Sequence, residues 1–108
     1  MASGQGTVDF ICDQMAGAGQ ITWRKMFGEY GVYCDGTFIG VICDDTLFLK
    51  VTGPAGVAEP GLDLAQAYDG AKPSFRIPSE MLDDAARLAA FVQIVRDSLP
   101  VGKSKRKR

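Results

Sequence analysis

Two tight turns follow one another within residues 30–51, "YGVYCDGTFIGVICDDTLFLKV". Asp35-Gly36 separates two apolar runs, and this dipeptide suits a type I′ hairpin turn because both of its central positions need positive φ. Asp44-Asp45 marks a second turn after the next apolar run. The segment therefore predicts three antiparallel strands, over about 29–34, 37–43 and 46–51.

The turn at 35–36 also predicts how the first two strands pair, because a two-residue loop determines the register of a hairpin. Continuing the pairing outward from this turn places Gly31 opposite Gly40. Two facing glycines would leave a groove in the sheet, which an aromatic side chain such as Phe91 would have to fill. The same register places Cys34 and Cys43 on one face of the sheet, about 20 Å apart and too far for a disulfide.

Helical patterns are found at the two ends of the chain. After Thr7, a candidate N-cap, apolar residues recur at helical spacing; they are Val8, Ile11, Cys12 and Met15. After Asp83 or Asp84, either of which could cap a helix, a second apolar stripe begins; it comprises Leu88, Phe91, Val92, Val95 and Leu99. We expect one helix on each of these stripes, the second ending before Pro100.

The remaining segments are less regular. Residues 20–27 are rich in β-formers and predict a strand, and residues 73–78 predict a short strand bounded by prolines. Residues 62–68 are compatible with a helical turn or a strand, and residues 52–61 predict a loop because of their Gly and Pro content. This order of elements predicts an α+β fold, approximately α-β-β-β-β-α, with an antiparallel sheet of about five strands and helices at both ends packed on it.

Charge divides the chain into two parts. Residues 1–100 are expected to form a single domain and residues 101–108 a disordered basic tail. The last six residues hold five of the twelve cations, which leaves residues 1–102 with seven cations against thirteen carboxylates. A domain with an excess of carboxylates is unsuited to binding duplex DNA, because such binding depends on cations that neutralise the phosphates. The tail could bind nucleic acid weakly, or it could only aid solubility; its candidate contacts are Lys103, Lys105, Arg106, Lys107 and Arg108.

The amino-acid composition limits the kinds of catalytic and metal site that this chain could form. There is no histidine, so a Ser-His-Asp or Cys-His site within this chain is excluded, and the commonest metal ligand is missing. The three cysteines are irregularly spaced and are interpreted as small buried apolar residues, with a reactive thiol as the alternative. No cofactor is expected. No apolar run approaches the roughly 20 residues of a membrane span, and no leader is recognisable, so a cytoplasmic location is expected.

Several further residues have two interpretations. The carboxylates that an enzyme could use are Glu29, Asp35, Asp44 and Asp45, but the three aspartates also suit turn chemistry. Trp23, the only tryptophan, is expected in the core, and an exposed Trp23 would instead indicate an interface anchor. The sequence therefore favours a non-enzymatic regulatory or protein-interaction domain, with weak nucleic-acid association through the basic tail as the alternative. An enzyme or a small-ligand-binding protein is a weaker alternative.

The segment "RKMFGEYGVYCDGTFIGVICDDTLFLKV" resembles the N-terminal domain of the TfoX/Sxy family. The residues that carry this resemblance are Arg24, Met26, Phe27, Gly28, Tyr30, Gly31, Tyr33, Gly36, Leu47, Leu49 and Lys50. The resemblance implies a five-stranded antiparallel sheet with flanking helices, similar to type III secretion chaperones. It implies no catalytic residue, so we treat these positions as a structural signature.

The resemblance also suggests a role. The full-length proteins of this family regulate natural competence in bacteria together with a cyclic-AMP receptor protein, and they carry a second, helical domain. This chain is similar to their first domain alone, as a stand-alone version. A protein partner is therefore expected, with the cyclic-AMP receptor protein as the candidate by family analogy. Exposed sheet edges would also allow a homodimer.

Overall fold

A computed structural model of the chain describes residues 4–26 and 29–99, except for the side chain of Met26. Its helices are α1 (Gln5–Met15), a 3₁₀ turn (Ala16–Ala18), α2 (Gly53–Ala58), α3 (Ser79–Leu82) and α4 (Ala85–Ser98). Its strands are β1 (Ile21–Met26), β2 (Glu29–Cys34), β3 (Thr37–Cys43), β4 (Thr46–Leu49), β5 (Asp63–Gln66) and β6 (Pro73–Arg76).

The strands form one six-stranded sheet in the order β1-β2-β3-β4-β6-β5, and every neighbouring pair is antiparallel. The predicted α+β class with helices at both ends is confirmed, and the strand count of about five becomes six. The additional strand is β5, which lies in the segment that was compatible with a helical turn or a strand. Because β5 pairs only with β6, its conformation depends on a partner that follows it in the sequence.

Both predicted turns have positive φ at their two central residues. Asp35 and Gly36 have φ of 52° and 85°, and Asp44 and Asp45 have φ of 55° and 60°. Positive φ at both central positions matches the right-handed twist of the strands that each turn joins. The hairpin prediction is therefore confirmed at both turns, and the bounds of β2 and β3 are those expected.

The expected pairing of Gly31 with Gly40 is wrong. The register shifts by one residue between Val32 and Tyr33, so that Gly31 faces Val41 and Gly40 faces Val32. The cause is a β-bulge, in which one strand contributes an extra residue; here Ile39 in β3 is the extra residue. The predicted groove between facing glycines does not form.

The bulge also changes which side chains reach the core. Ile39 and Ile42 are both fully buried, although residues three apart in a regular strand lie on opposite faces. Cys43, next to Ile42, therefore lies on the face opposite to Cys34, and the expectation that the two cysteines share a face is also wrong. Phe91 fills no sheet groove but packs edge-on against Phe75, with ring centroids 5.5 Å apart.

The hydrophobic core lies on one face of the sheet only. The helices contribute Val8, Ile11, Met15, Ala55, Met81, Leu88, Phe91, Val92 and Val95 to it. The strands contribute Tyr30, Val32, Cys34, Ile39, Ile42, Leu47, Leu49 and Phe75. The opposite face, which we call the outer face, carries the alternate strand residues and no helix of the described chain. None of the described helices is of a length and apolarity that would cross a bilayer.

Local capping explains where the helices begin. Helix α1 starts at Gln5 with Gly4 as its N-cap, so the prediction of Thr7 as N-cap is wrong. Residues 52–61, predicted as a loop, contain α2, because Thr52 Oγ1 accepts a hydrogen bond from the Ala55 N–H (3.2 Å) and caps this short helix. Asp84, one of the two predicted caps, caps α4 by accepting from the Arg87 N–H (3.1 Å).

An ion pair joins the end of α2 to α4. Both Arg87 Nε and Nη2 donate to the carboxylate of Glu59, at 2.9 and 2.7 Å. This bidentate geometry is the strongest arrangement for an Arg–carboxylate pair. Helix α2 has one fully buried side chain, that of Ala55, and the ion pair adds a further link between the end of this helix and α4.

Glu59→Gln should destabilise the protein near neutral pH and have less effect in acid. Hydrogen bonds from Arg87 lower the pKa of the Glu59 carboxyl from its ordinary value, although burial acts in the opposite direction. Such a group contributes stability above its unfolded-state pKa and loses it as the pH falls through the folded-state pKa. Urea unfolding at several pH values should show the wild type and variant converging in acid. Asp63→Asn, which breaks the exposed pair with Arg76, is the control with little expected effect; a constant difference at all pH values would contradict the prediction.

Candidate interaction surfaces

The predicted signature residues divide between the two faces of the sheet. Tyr30, Leu47 and Leu49 point into the core and are 4, 0 and 0% exposed. Arg24, Gly31, Tyr33 and Lys50 occupy positions of the outer face, and Gly36 forms the hairpin turn. Phe27, Gly28 and the side chain of Met26 lie outside the described residues, as do Lys103, Lys105, Arg106, Lys107 and Arg108, so the predicted tail contacts stay predictions.

Aromatic residues and a lysine form a cluster on the outer face. Tyr33 and Phe38 face each other across β2 and β3, with ring centroids 5.3 Å apart. The Lys50 Nζ lies 4.9 Å from the centroid of the Phe38 ring, a cation–π contact. Phe48 is also on this face, opposite Val41, but it is only 7% exposed. The outer face is therefore an amphipathic surface and not a uniformly polar one.

Strand β1 forms one edge of the sheet and carries an exposed tryptophan. Its six residues pair with β2 on one side. Trp23 contacts Tyr30 in a T-shaped arrangement (5.1 Å between centroids), yet it is 38% exposed. The expectation that Trp23 belongs to the core is therefore wrong, and the interface interpretation is the one that its exposure favours. Arg24 and Lys25, next to it, are also exposed.

The seven cations of residues 1–102 separate into paired and unpaired groups. Arg76, Arg87 and Arg96 form ion pairs with carboxylates. Within the described part of the chain, the other four have no ion pair; they are Arg24, Lys25, Lys50 and Lys72. The first two lie on the β1 edge, and the last two line a cleft on the other half of the sheet.

The cleft opens beside the end of β4. Strands β4 and β6 pair at two positions only, Phe48 with Arg76 and Leu49 with Phe75. Beyond them, an open cleft of about 670 Å³ lies between the end of β4 and the β5–β6 hairpin. Its lining residues are Phe38, Gly40, Val41, Lys50, Val51, Leu64, Ala67, Tyr68, Ala71, Lys72, Pro73, Ser74 and Leu99. We call it the β4–β6 cleft.

A polar cluster connects the first hairpin turn to helix α4. Asp35 accepts hydrogen bonds from the Gln20 N–H at 2.9 Å and from Arg96 Nη1 at 2.7 Å. Arg96 Nη1 also donates to the Ala18 carbonyl at 2.9 Å. Asp35, a candidate acid of an enzyme, therefore has a structural role in the turn, as its sequence context suggested.

The other three candidate acids lie near the second turn, at the end of the sheet opposite to Asp35. Asp44 and Asp45 form the second turn, and Asp45 Oδ1 accepts from the Gly4 N–H at 3.1 Å. Glu29 is 8% exposed, and burial raises the pKa of its carboxyl. It lies on the outer face near Cys43 and far along the sheet from the turn at Asp35.

The three cysteines are poor nucleophiles in this structure. Burial is the main cause that raises the pKa of Cys12 to about 11, with Asp9 and Asp13 adding to the effect. Burial also raises the pKa of the Cys34 and Cys43 thiols. A thiol with a raised pKa is mostly protonated at neutral pH and reacts slowly. Among the described residues, no group of three or more acidic or cysteine side chains is arranged to hold a metal ion.

The geometry defines a class: a small α+β domain whose antiparallel sheet is covered by helices on one face, with candidate interaction surfaces on its β1 edge and in its β4–β6 cleft. Comparison with known proteins agrees with the predicted resemblance. The TfoX N-terminal domain family matches residues 13–98, and the chain belongs to this family. It is also similar to an uncharacterized 12.7 kDa protein in the trpE 5′ region of Spirochaeta aurantia, with 26% identity over 106 residues. That match covers 98% of this chain and 91% of the relative.

Proposed function

We propose that this chain is a non-enzymatic regulatory domain that binds a partner protein through the β1 edge. The observation that carries the proposal is Trp23, exposed in the middle of a strand that is paired on one side only. A strand edge offers backbone N–H and C=O groups to an incoming extended segment. Tryptophan is the residue type most often found as an energetic anchor in protein interfaces.

The charges of the edge support a partner with acidic character. Arg24 and Lys25 have no carboxylate partner among the described residues, so an acidic segment lying beside β1 would meet two available cations. Pairing of β1 with a second copy of itself would instead bring four cations together, and like charges opposite each other destabilise a strand pair. We therefore favour a different protein as partner, with a homodimer as the competing outcome.

Family membership supports a regulatory role. The TfoX N-terminal domain is a competence-regulator-like domain and is not a known enzyme family. The sequence lacks histidine, and the raised pKa values of the cysteine thiols argue against a thiolate nucleophile. By family analogy, the cyclic-AMP receptor protein is the first whole protein to test as a partner.

Because Trp23 is the only tryptophan, its fluorescence reports directly on the β1 edge. We expect a tryptophan-free acidic peptide of high β-propensity to bind and shift the emission to shorter wavelength, as its pairing with β1 removes Trp23 from water. A basic peptide of the same length should not bind. The variant Arg24→Gln/Lys25→Gln should weaken binding about tenfold, in keeping with two partly exposed charge contacts. Lys72→Gln/Arg76→Gln, with the same change in net charge, is the matched control; equal weakening by both variants, or no binding of the acidic peptide, would contradict the proposal.

Sedimentation of the whole chain separates the remaining outcomes. The chain alone should sediment as a monomer, and addition of the cyclic-AMP receptor protein should give a larger species that Trp23→Ser weakens. Self-association that Trp23→Ser abolishes would favour the homodimer instead. A receptor complex unaffected by Trp23→Ser would place the interface away from β1.

A further inference from the structure

The β4–β6 cleft combines exposed apolar surface with two lysines in a concave place. Six large apolar side chains are exposed among the described residues, and three of them line this cleft: Val51 at 47%, Leu64 at 56% and Tyr68 at 52%. Exposed apolar residues scattered singly are ordinary, whereas their concentration in one concave place indicates a binding site.

The charged groups of the cleft have one sign. Lys50 and Lys72 line it, no carboxylate does, and neither lysine has an ion pair with a described residue. Asp69 follows Tyr68 in the sequence but is not part of the lining. Since the body of the protein has an excess of carboxylates, this local pair of lysines is a departure from its general charge. Two lysines beside apolar walls favour an anion over a cation or a neutral ligand.

Lys50 is already positioned for such a ligand. Its Nζ lies 4.9 Å from the Phe38 centroid, so the aromatic face limits where the ammonium group can go. The Lys50 N–H donates to the Ile39 carbonyl at 2.8 Å, which extends the β3–β4 pairing by one residue and orders the lysine backbone. A side chain that is already ordered loses less conformational entropy when it binds a ligand.

We propose that the β4–β6 cleft binds a small organic anion that carries one carboxylate, sulfonate or phosphate group on a flat apolar body. The anionic group contacts Lys50 and Lys72, and the apolar body lies against Phe38 and Tyr68. The volume of about 670 Å³ falls within the roughly 300–1,000 Å³ of small-molecule sites. The basic residues 103–108 of the same chain are unsuited to this cleft because they would repel its lysines. The inference is independent of the proposed partner binding, which uses the opposite edge of the sheet.

A matched pair of fluorescent probes tests the inference on the full chain. The anion 8-anilinonaphthalene-1-sulfonate should bind more tightly than N-phenyl-1-naphthylamine, which has the same rings and no charge. Lys50→Met and Lys72→Met should each raise the Kd of the sulfonate about fivefold, and leave the Kd of the neutral probe within about twofold. Tyr68→Ala should weaken both probes, because it removes ring contact without touching charge; its exposure makes it safe for the fold.

Two controls separate this site from general electrostatics. Lys25→Met makes the same change in net charge at the distant β1 edge and should leave both probes unaffected. Replacing the tail cations by glutamine (Lys103, Lys105, Arg106, Lys107 and Arg108) should also leave sulfonate binding unchanged. Equal weakening by Lys25→Met and Lys50→Met, loss of binding with the neutralised tail, or no effect of Tyr68→Ala on either probe would overturn the inference.

Discussion

Gly40→Ala should lower the free energy of unfolding by about 3 kcal/mol or more, the largest effect that we expect from a single added methyl group. A Cβ at this position would collide with the carbonyl oxygen of Phe48 and lie 2.9 Å from the Leu49 Cα. Both obstacles are backbone atoms, so no side-chain rotation can relieve them. Strand β3 would have to move away from β4, next to the bulge that also determines its pairing with β2.

Urea or thermal unfolding followed by circular dichroism measures this effect. Gly61→Ala is the matched control, because a Cβ there meets nothing within 4 Å, and it should change the stability by less than about 0.5 kcal/mol. A Gly40→Ala protein as stable as the wild type would show that the close approach of β3 and β4 at Gly40 is wrong.

Asp35→Ala should cost about 2 kcal/mol of folding stability. The substitution places alanine at a φ of 52°, where a side chain without a local hydrogen bond costs roughly 1 kcal/mol. It also removes the acceptor of the Gln20 N–H and of Arg96. We expect about 1 kcal/mol from these two contacts together, because the Asp35 side chain is 47% exposed and solvent screens the ion pair.

Asp35→Asn separates the turn from the charge. Asparagine tolerates positive φ and keeps an oxygen that can accept from Gln20, so it should cost less than half of the alanine effect. A double-mutant cycle with Arg96→Met then isolates the contact with α4. Equal costs for alanine and asparagine would assign the whole effect to the charge and contradict the role of Asp35 in the turn.

These two predictions concern the same hairpin for different reasons. Asp35 could be assigned to a turn from its neighbours alone, because Asp-Gly has local conformational preferences. The importance of Gly40 could not be assigned in that way, since the atoms it would strike belong to β4. The sequence signal at this position was a glycine inside a predicted strand. Such glycines often mark β-bulges, and a bulge does lie next to Gly40.

The surfaces differ in how far they could be predicted. From the sequence, Trp23 was expected in the core, and an interface anchor was the alternative interpretation if its side chain proved to be exposed. It is exposed because β1 is an edge strand of the sheet. No sequence pattern states which strand will lie at an edge. Tyr68 was missed because its segment had no clear periodicity; an aromatic residue directly before Asp69-Gly70 is the signal that was available.

Local chemistry in the sequence determined both hairpin turns, the bounds of β2 and β3, the apolar stripes of α1 and α4, the α+β class and the family. Each of these depends on residues close together in the chain, where backbone preference and periodicity act directly. Tertiary structure alone decided the bulge at Ile39, the pairing of β5, the exposure of Trp23 and the opening of the β4–β6 cleft. All four depend on which strands become neighbours and on where the pairing of those strands ends. Packing between segments that are distant in the sequence determines the choice of neighbours and the end of the pairing.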